Sequence, residues 1–205
     1  MKNLPTLPLL LSAVAVSAAP ASGPAELKYD RLAVGYTSGS DTRSYSLTGT
    51  ALVGGHILVG GSVSDYKVKA LADATGRGVT FDLGYKFSLE LGDLIVSARC
   101  GQLDVARQSG ADSIALQAEE TSAGLTWRQA INRYFEYSLG YNYVSTDAVG
   151  SATIGGTTTR FTRKDHQSLG SLGLRYNVNA NADISLGFTF ASGEHAWSLS
   201  TGYNF

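Results

Sequence analysis

The sequence predicts an all-β chain, a closed antiparallel transmembrane β-barrel of ten strands, and three observations predict it. Apolar and aromatic residues recur at every second position against small or polar ones, which is the period of a strand with two unlike faces. The connections between these stretches alternate between short and long. After the first segment, no run of apolar residues is long enough to cross a bilayer as a helix. The clearest strand holds Val79, Phe81, Leu83, Tyr85, Phe87 and Leu89 on one parity, and Thr80, Asp82, Gly84, Lys86 and Ser88 on the other. Phe135, Tyr137, Leu139, Tyr141 and Tyr143 alternate in the same way, as do Ile184, Leu186, Phe188 and Phe190.

The first segment reads as a secretory signal over residues 1–21. Lys2 gives a thin positive region, Leu9 to Val16 an apolar core, and Ser17-Ala18-Ala19-Pro20-Ala21 small residues for cleavage after Ala18 or Ala21. A short linker at 22–27 and a barrel at 28–205 follow. The 205 residues carry 16 basic and 17 acidic side chains. Loss of Lys2 with the signal moves the formal charge from −1 to −2, so nothing points to nucleic acid. A single cysteine in an exported chain excludes an internal disulfide framework. Cys100 shares the parity of Leu94, Val96 and Ala98 and reads as an inert apolar-face residue.

The remaining strands are weaker: Leu32/Val34/Tyr36, Tyr45/Leu47/Ala51/Val53, Ile57/Val59/Val63, Leu94/Val96/Ala98, Ala123/Leu125/Trp127 and Leu172/Leu174/Tyr176. With the terminal Trp197/Leu199/Thr201/Tyr203/Phe205 they make ten. Each is near the ~9–11 residues that a tilted strand needs to cross a bilayer. A merged or split weak strand gives eight or twelve. Short turns fall at Gly54-Gly55-His56, Glu90 to Asp93, Ala130 to Arg133 and Asn177 to Asn181. Longer loops fall at Ser38 to Arg43, Tyr66 to Arg77, Val105 to Asp112 and Ser145 to His166, with a tight connection at Ala191 to Glu194. Within Ser145 to His166, Gly155-Gly156 sits between β-formers and predicts a protruding hairpin. Hairpins centred on Asn132 and Asn179 would pair Trp127 with Tyr137, Leu125 with Leu139, Arg128 with Glu136, and Arg175 with Asp183.

The apolar parity is expected to face lipid. Tyr36, Tyr45, Phe135, Tyr143, Tyr176 and Trp197 lie near strand ends, as interfacial girdles require. The opposite parity is rich in Gly, Ser and Thr and also carries Arg31, Asp82, Lys86, Arg99, Arg128, Glu136, Arg175 and Asp183. An Arg or Lys on the lipid face costs about 2–4 kcal/mol near the midplane, so these eight are expected to line the lumen. Five cations against three anions would make that lumen weakly positive.

The last stretch, with Trp197, Tyr203 and Phe205 on one face, closely resembles the assembly signal of bacterial outer-membrane β-barrels. With the export signal, the amphipathic strands and the alternating turns, the chain resembles a small outer-membrane barrel of the porin-like or OmpA-like class. That resemblance implies location in a Gram-negative outer membrane, contact with its lipid and lipopolysaccharide, delivery by the barrel assembly machinery, and no cofactor.

Candidate chemistry is sparse. Ten-stranded outer-membrane proteases carry an Asp–His pair, but Asp165 and His166 are adjacent here and must point to opposite faces. His166 and Ser168 share a face, as a base and nucleophile must, and Glu194 could orient the histidine. Lipid A deacylases use such a His-x-Ser, yet Leu169-Gly170-Ser171 follows rather than their Asn-Ala. His56, His166 and His195 share no metal-ligand spacing. Arg160, Arg163 and Lys164 form a basic cluster suited to lipopolysaccharide phosphates. The sequence therefore predicts no enzyme but a narrow passive channel for small solutes or ions. The alternative is a closed structural or surface-interaction barrel acting through its outer loops, with a lipid A-modifying hydrolase third.

Overall fold

The computed structural model describes residues 21–22, 26–27, 29–69 and 74–205, among which no residue is helical apart from one turn at Lys69. The expected signal segment lies outside these residues except for Ala21. Ala21–Ser22 pairs with Glu26–Leu27 as a minimal hairpin where the linker was expected. Ten strands then follow: β1 Arg31–Gly39, β2 Thr42–Val53, β3 Ile57–Val68, β4 Ala74–Leu89, β5 Gly92–Ser109, β6 Asp112–Ala130, β7 Phe135–Ile154, β8 Thr157–Asn177, β9 Ala182–Ala191 and β10 Glu194–Asn204. Each pairs antiparallel with its chain neighbours, and β10 pairs with β1, so the sheet closes into a barrel. Closure gives the spanning backbone its partners, as lipid requires.

The strands differ from expectation in length. β5 to β8 run 18, 19, 20 and 21 residues, whereas β9 and β10 run 10 and 11. The loop expected at Val105 to Asp112 is strand on both sides of a tight turn, with Gly110 at φ +63°. Within Tyr66 to Arg77, residues 66–68 and 74–77 are likewise strand. Above the lipid, outward residues no longer have to be apolar, so Asp104, Ala106 and Gln108 lose the alternation while the backbone ladder continues. The Gly155-Gly156 turn does join β7 to β8, with φ +58° and +81°, values that L side chains rarely adopt.

The two hairpin registers expected at the short-turn end are each displaced by two residues. Trp127 faces Leu139 and Arg128 faces Ser138; Arg175 faces Ser185 and Asn177 faces Asp183. The asparagines open these turns rather than centring them. Asn132 Oδ1 accepts the N–H groups of Tyr134 and Phe135, and Asn179 Oδ1 those of Asn181 and Ala182. An Asx turn of this kind moves the centre one residue on, which moves every pair by two and keeps each side chain on its face.

The outside is apolar. Phe81, Leu139, Phe188 and Leu199 are 51, 49, 46 and 47% exposed, as only lipid-facing residues of this size can be in number. Aromatic groups rim both ends of this belt. Tyr36 packs on Tyr45 and Trp197, with ring centroids 5.1 and 5.5 Å apart, at the outer end. Phe135 packs on Tyr176 at 5.1 Å, and His56 stacks on Tyr85 at 5.6 Å, at the short-turn end. Purified protein is therefore expected to need detergent and to migrate differently on gels before and after boiling. A detergent-free soluble monomer would rule out the lipid-facing belt.

Candidate functional site

The inner mouth, at the short-turn end, is filled by one charged network built from strands far apart in sequence. Arg31 on β1 reaches Asp183 on β9 through two bonds, Nη2 to Oδ1 at 2.6 Å and Nε to Oδ2 at 3.0 Å. Arg175 on β8 lies 3.6 Å from the same carboxylate and donates to Ser185 Oγ at 3.0 Å. Asn204 on β10 donates to Asp183 Oδ2 at 3.2 Å. Arg128 on β6 donates to Glu136 on β7 from both Nε, at 2.7 Å, and Nη2. Arg128 and Asp183 are 0% exposed, Arg31 1% and Arg175 4%, so all four are buried.

Tyr29, in the segment just before β1, stoppers this network. Its ring lies under the Arg128 guanidinium at 4.5 Å and the Lys86 ammonium at 5.1 Å, a cation on each count within cation–π reach. Its hydroxyl donates to Asp93, whose carboxylate also stands 3.9 Å from Lys86 Nζ. Its carbonyl accepts from Thr50 Oγ1 at 2.8 Å, and Asp30 Oδ1 next to it accepts the Leu52 N–H at 2.8 Å. Ile95, Leu27, Leu52 and Leu58 supply apolar packing around the ring. Burial pushes the phenol's pKa above its ordinary value of 10.0. Tyr29 and Asp93 were not singled out from the sequence. Asp93 shares the parity of Ile95 and Arg99 and was legible as inward, but Tyr29 precedes every periodic signal.

Farther up, Asp82 and Arg99 form an ion pair across β4 and β5, with side chains 26 and 13% exposed. Glycine, serine and threonine surround this level: Ser62 bonds Thr80 at 2.8 Å, and Gly60, Ser97 and Gly124 add no bulk. Above it the lumen changes character. Tyr66, Val68, Ala74, Leu103, Val105, Leu116, Ala118 and Ala148 pack into an apolar cluster inside the extended wall, with Phe161 against it. All eight side chains expected to line the lumen thus lie on its side of the wall, but they divide into a buried inner group of five, Lys86 beside it at 14% exposure, and the Asp82–Arg99 pair.

The other expected residues separate. Arg160 and Lys164 stand on the outer face of β8, Lys164 pairing with Asp147 at 2.9 Å. Arg163 points to the lumen side and pairs with Asp165 at 2.9 Å. The basic cluster read from the sequence is therefore split between faces, because neighbours on one continuous strand alternate. His166 and Ser168 do share the outer face. His166 stacks on Tyr143 at 6.0 Å, and Ser168 Oγ is bonded to Tyr141 Oη at 2.8 Å, so each has a different partner. Cys100 is exposed on the lipid side. Among the described residues no group of His, Cys, Asp and Glu is placed to hold a metal.

Trp197, Tyr203 and Phe205 all face outward, Phe205 at 68% exposure. Replacing Phe205 with a charged residue is expected to lower the yield of assembled barrel while export continues. Unchanged heat-modifiable barrel in membrane fractions would remove the assembly role from this residue.

No protein-family profile and no curated protein matches the chain. Among solved structures it is similar to the translocator domain of the autotransporter NalP from Neisseria meningitidis, at TM-score 0.57 and 10% identity, covering 85% of this chain and 87% of that one. Matches with lower scores include the KdgM porin (TM-score 0.45, 9% identity, 85% and 99% covered) and the protease OmpT from Escherichia coli (0.46, 11%, 86% and 95%). The first of these likenesses shows the fold. Closed barrel, lipid-facing belt and paired aromatic girdles together define a transmembrane β-barrel of the outer-membrane type.

Proposed function

We propose that this outer-membrane barrel is closed at its inner mouth and works at the cell surface, through the tall wall of β4 to β8, without catalysing a reaction. The observation that carries this reading is the inner network, in which Tyr29, Arg31, Arg128, Glu136, Arg175 and Asp183 are each at most 4% exposed. A ten-stranded lumen is narrow enough for side chains to fill. Opening it would mean withdrawing Tyr29 from between Arg128, Lys86 and Asp93 or separating the buried ion pairs beside it. The wall adds a second support, since strands of 16 to 21 residues exceed what a bilayer needs and the surplus stands outside it.

A narrow channel is the second reading, favoured by the small polar lining and the part-exposed Asp82–Arg99 pair at mid-height. Planar-bilayer recording of refolded protein separates the two. Silent bilayers at high protein loading are expected. Small regular steps with anion preference, weakened or reversed by Arg99→Glu, would replace the closed reading with the channel.

A further inference from the structure

We propose that the outer half of β8 is a docking edge at which an extended, acidic polypeptide segment adds to the wall as one more antiparallel strand. This rests on the surface reading above and names the partner's chemistry. β8 pairs with β7 from Thr157 to Tyr176, but β9 meets it only from Gly170 onward. Along Thr157–Leu169, roughly 40 Å of strand at ~3.4 Å per residue, the other side of β8 pairs with no strand among the described residues.

Among the described residues no strand stands beside this edge. The β9–β10 and β1–β2 hairpins turn at Ser192-Gly193 and Ser40-Asp41, while β8 climbs on to Gly156. Strand edges of this length are templates for pairing, and main-chain bonds would supply the affinity. One amide already shows what the edge takes: the His166 N–H donates to the Asp165 carboxylate at 2.9 Å instead of to a neighbouring strand's carbonyl.

Charge selects the occupant. Outward-facing Arg160 and Lys164 and inward Arg163 stand against one carboxylate, Asp165, in the same segment. The Lys164–Asp147 and Arg163–Asp165 pairs are part-exposed, and such pairs exchange readily for a partner's carboxylates. A second copy fits poorly. Two copies in one membrane are related by an axis along its normal, which cannot set two β8 edges antiparallel, and it would bring like charges together.

The test uses the refolded full chain in nanodiscs and three synthetic decapeptides: alternating Glu-Val, its backbone N-methylated analogue, and alternating Lys-Val. Amide hydrogen exchange over 157–169 is the readout. The Glu-Val peptide is expected to slow exchange there at least tenfold, the N-methylated analogue to have no effect, and the doubly reversed Arg160→Glu/Lys164→Glu protein to respond to Lys-Val instead. An unaltered gel shift shows that the reversed variant folds. No slowing by Glu-Val overturns the proposal, as does equal slowing by the N-methylated analogue. Slowing that depends on protein concentration without peptide overturns it in favour of a second copy. Bilayer conductance of the same preparation reports separately on the closed reading: silence with no peptide effect rejects the docking edge alone.

Discussion

Asp183→Ala is expected to cost the barrel about 3–5 kcal/mol, the usual loss when one partner of a buried ion pair is removed. Asp183 is the common acceptor for Arg31, Asn204 and Ser185, with Arg175 at 3.6 Å, and none of it is exposed. Without it two guanidinium groups remain in a dry mouth. Arg175 keeps both Nη atoms without a protein acceptor even with Asp183 in place, and the one carboxylate oxygen near it that is not engaged, Glu136 Oε2 across the strand pair, belongs to the partner of Arg128. Asp65→Ala is the control, because the Asp65–Arg77 pair is exposed at 70 and 85% and should contribute less than about 1 kcal/mol. Urea titration of the refolded protein, followed by the gel shift, measures both. Equal small losses would mean that the inner network adds nothing to stability.

The second large effect concerns conductance. Tyr29→Ala is expected to turn silent bilayers into conducting ones, because the ring is the part of the inner plug not carried by a barrel strand. Its cation–π contacts are worth about 0.5–2 kcal/mol, and a hydrogen bond to a carboxylate about 1.5–3 kcal/mol. Removing both leaves Lys86, Asp93 and Arg128 around an empty space. Tyr29→Phe keeps the ring and loses only the bond to Asp93, so it should remain nearly silent. If Tyr29→Ala is as silent as the parent chain, the seal belongs to the Arg31–Asp183 and Arg128–Glu136 pairs alone.

The membrane-spanning part of the fold was legible because lipid enforces it. Every second residue from Val79 to Leu89 or Phe135 to Tyr143 must be apolar, so strand number and facing follow from parity. The β7–β8 extension was legible from Gly155-Gly156, but the extensions of β4 to β6 were not. Water accepts Asp104 and Gln117 as readily as a loop would, and the apolar residues there, Leu103, Val105 and Leu116, point inward to one another. Facing of the lumen charges also followed from parity, but their partners did not. Arg31 and Asp183 lie on strands that never form a hairpin, and they meet only once the barrel has closed and tilted. Two-residue slips at Asn132 and Asn179 preserved every facing while changing every pair, which is why a diagonal Arg128–Glu136 contact replaced the expected direct one.

Gly202 shows what that closure entails for the seam between the last strand and the first. A side chain at 202 would occupy the space of the Arg31 guanidinium, which crosses β10 at this point to reach β9. The first strand is thus latched to the ninth over the top of the tenth. Zipping the final seam and burying the Arg31 charge are one event, and neither can be completed by a chain that lacks its last strand.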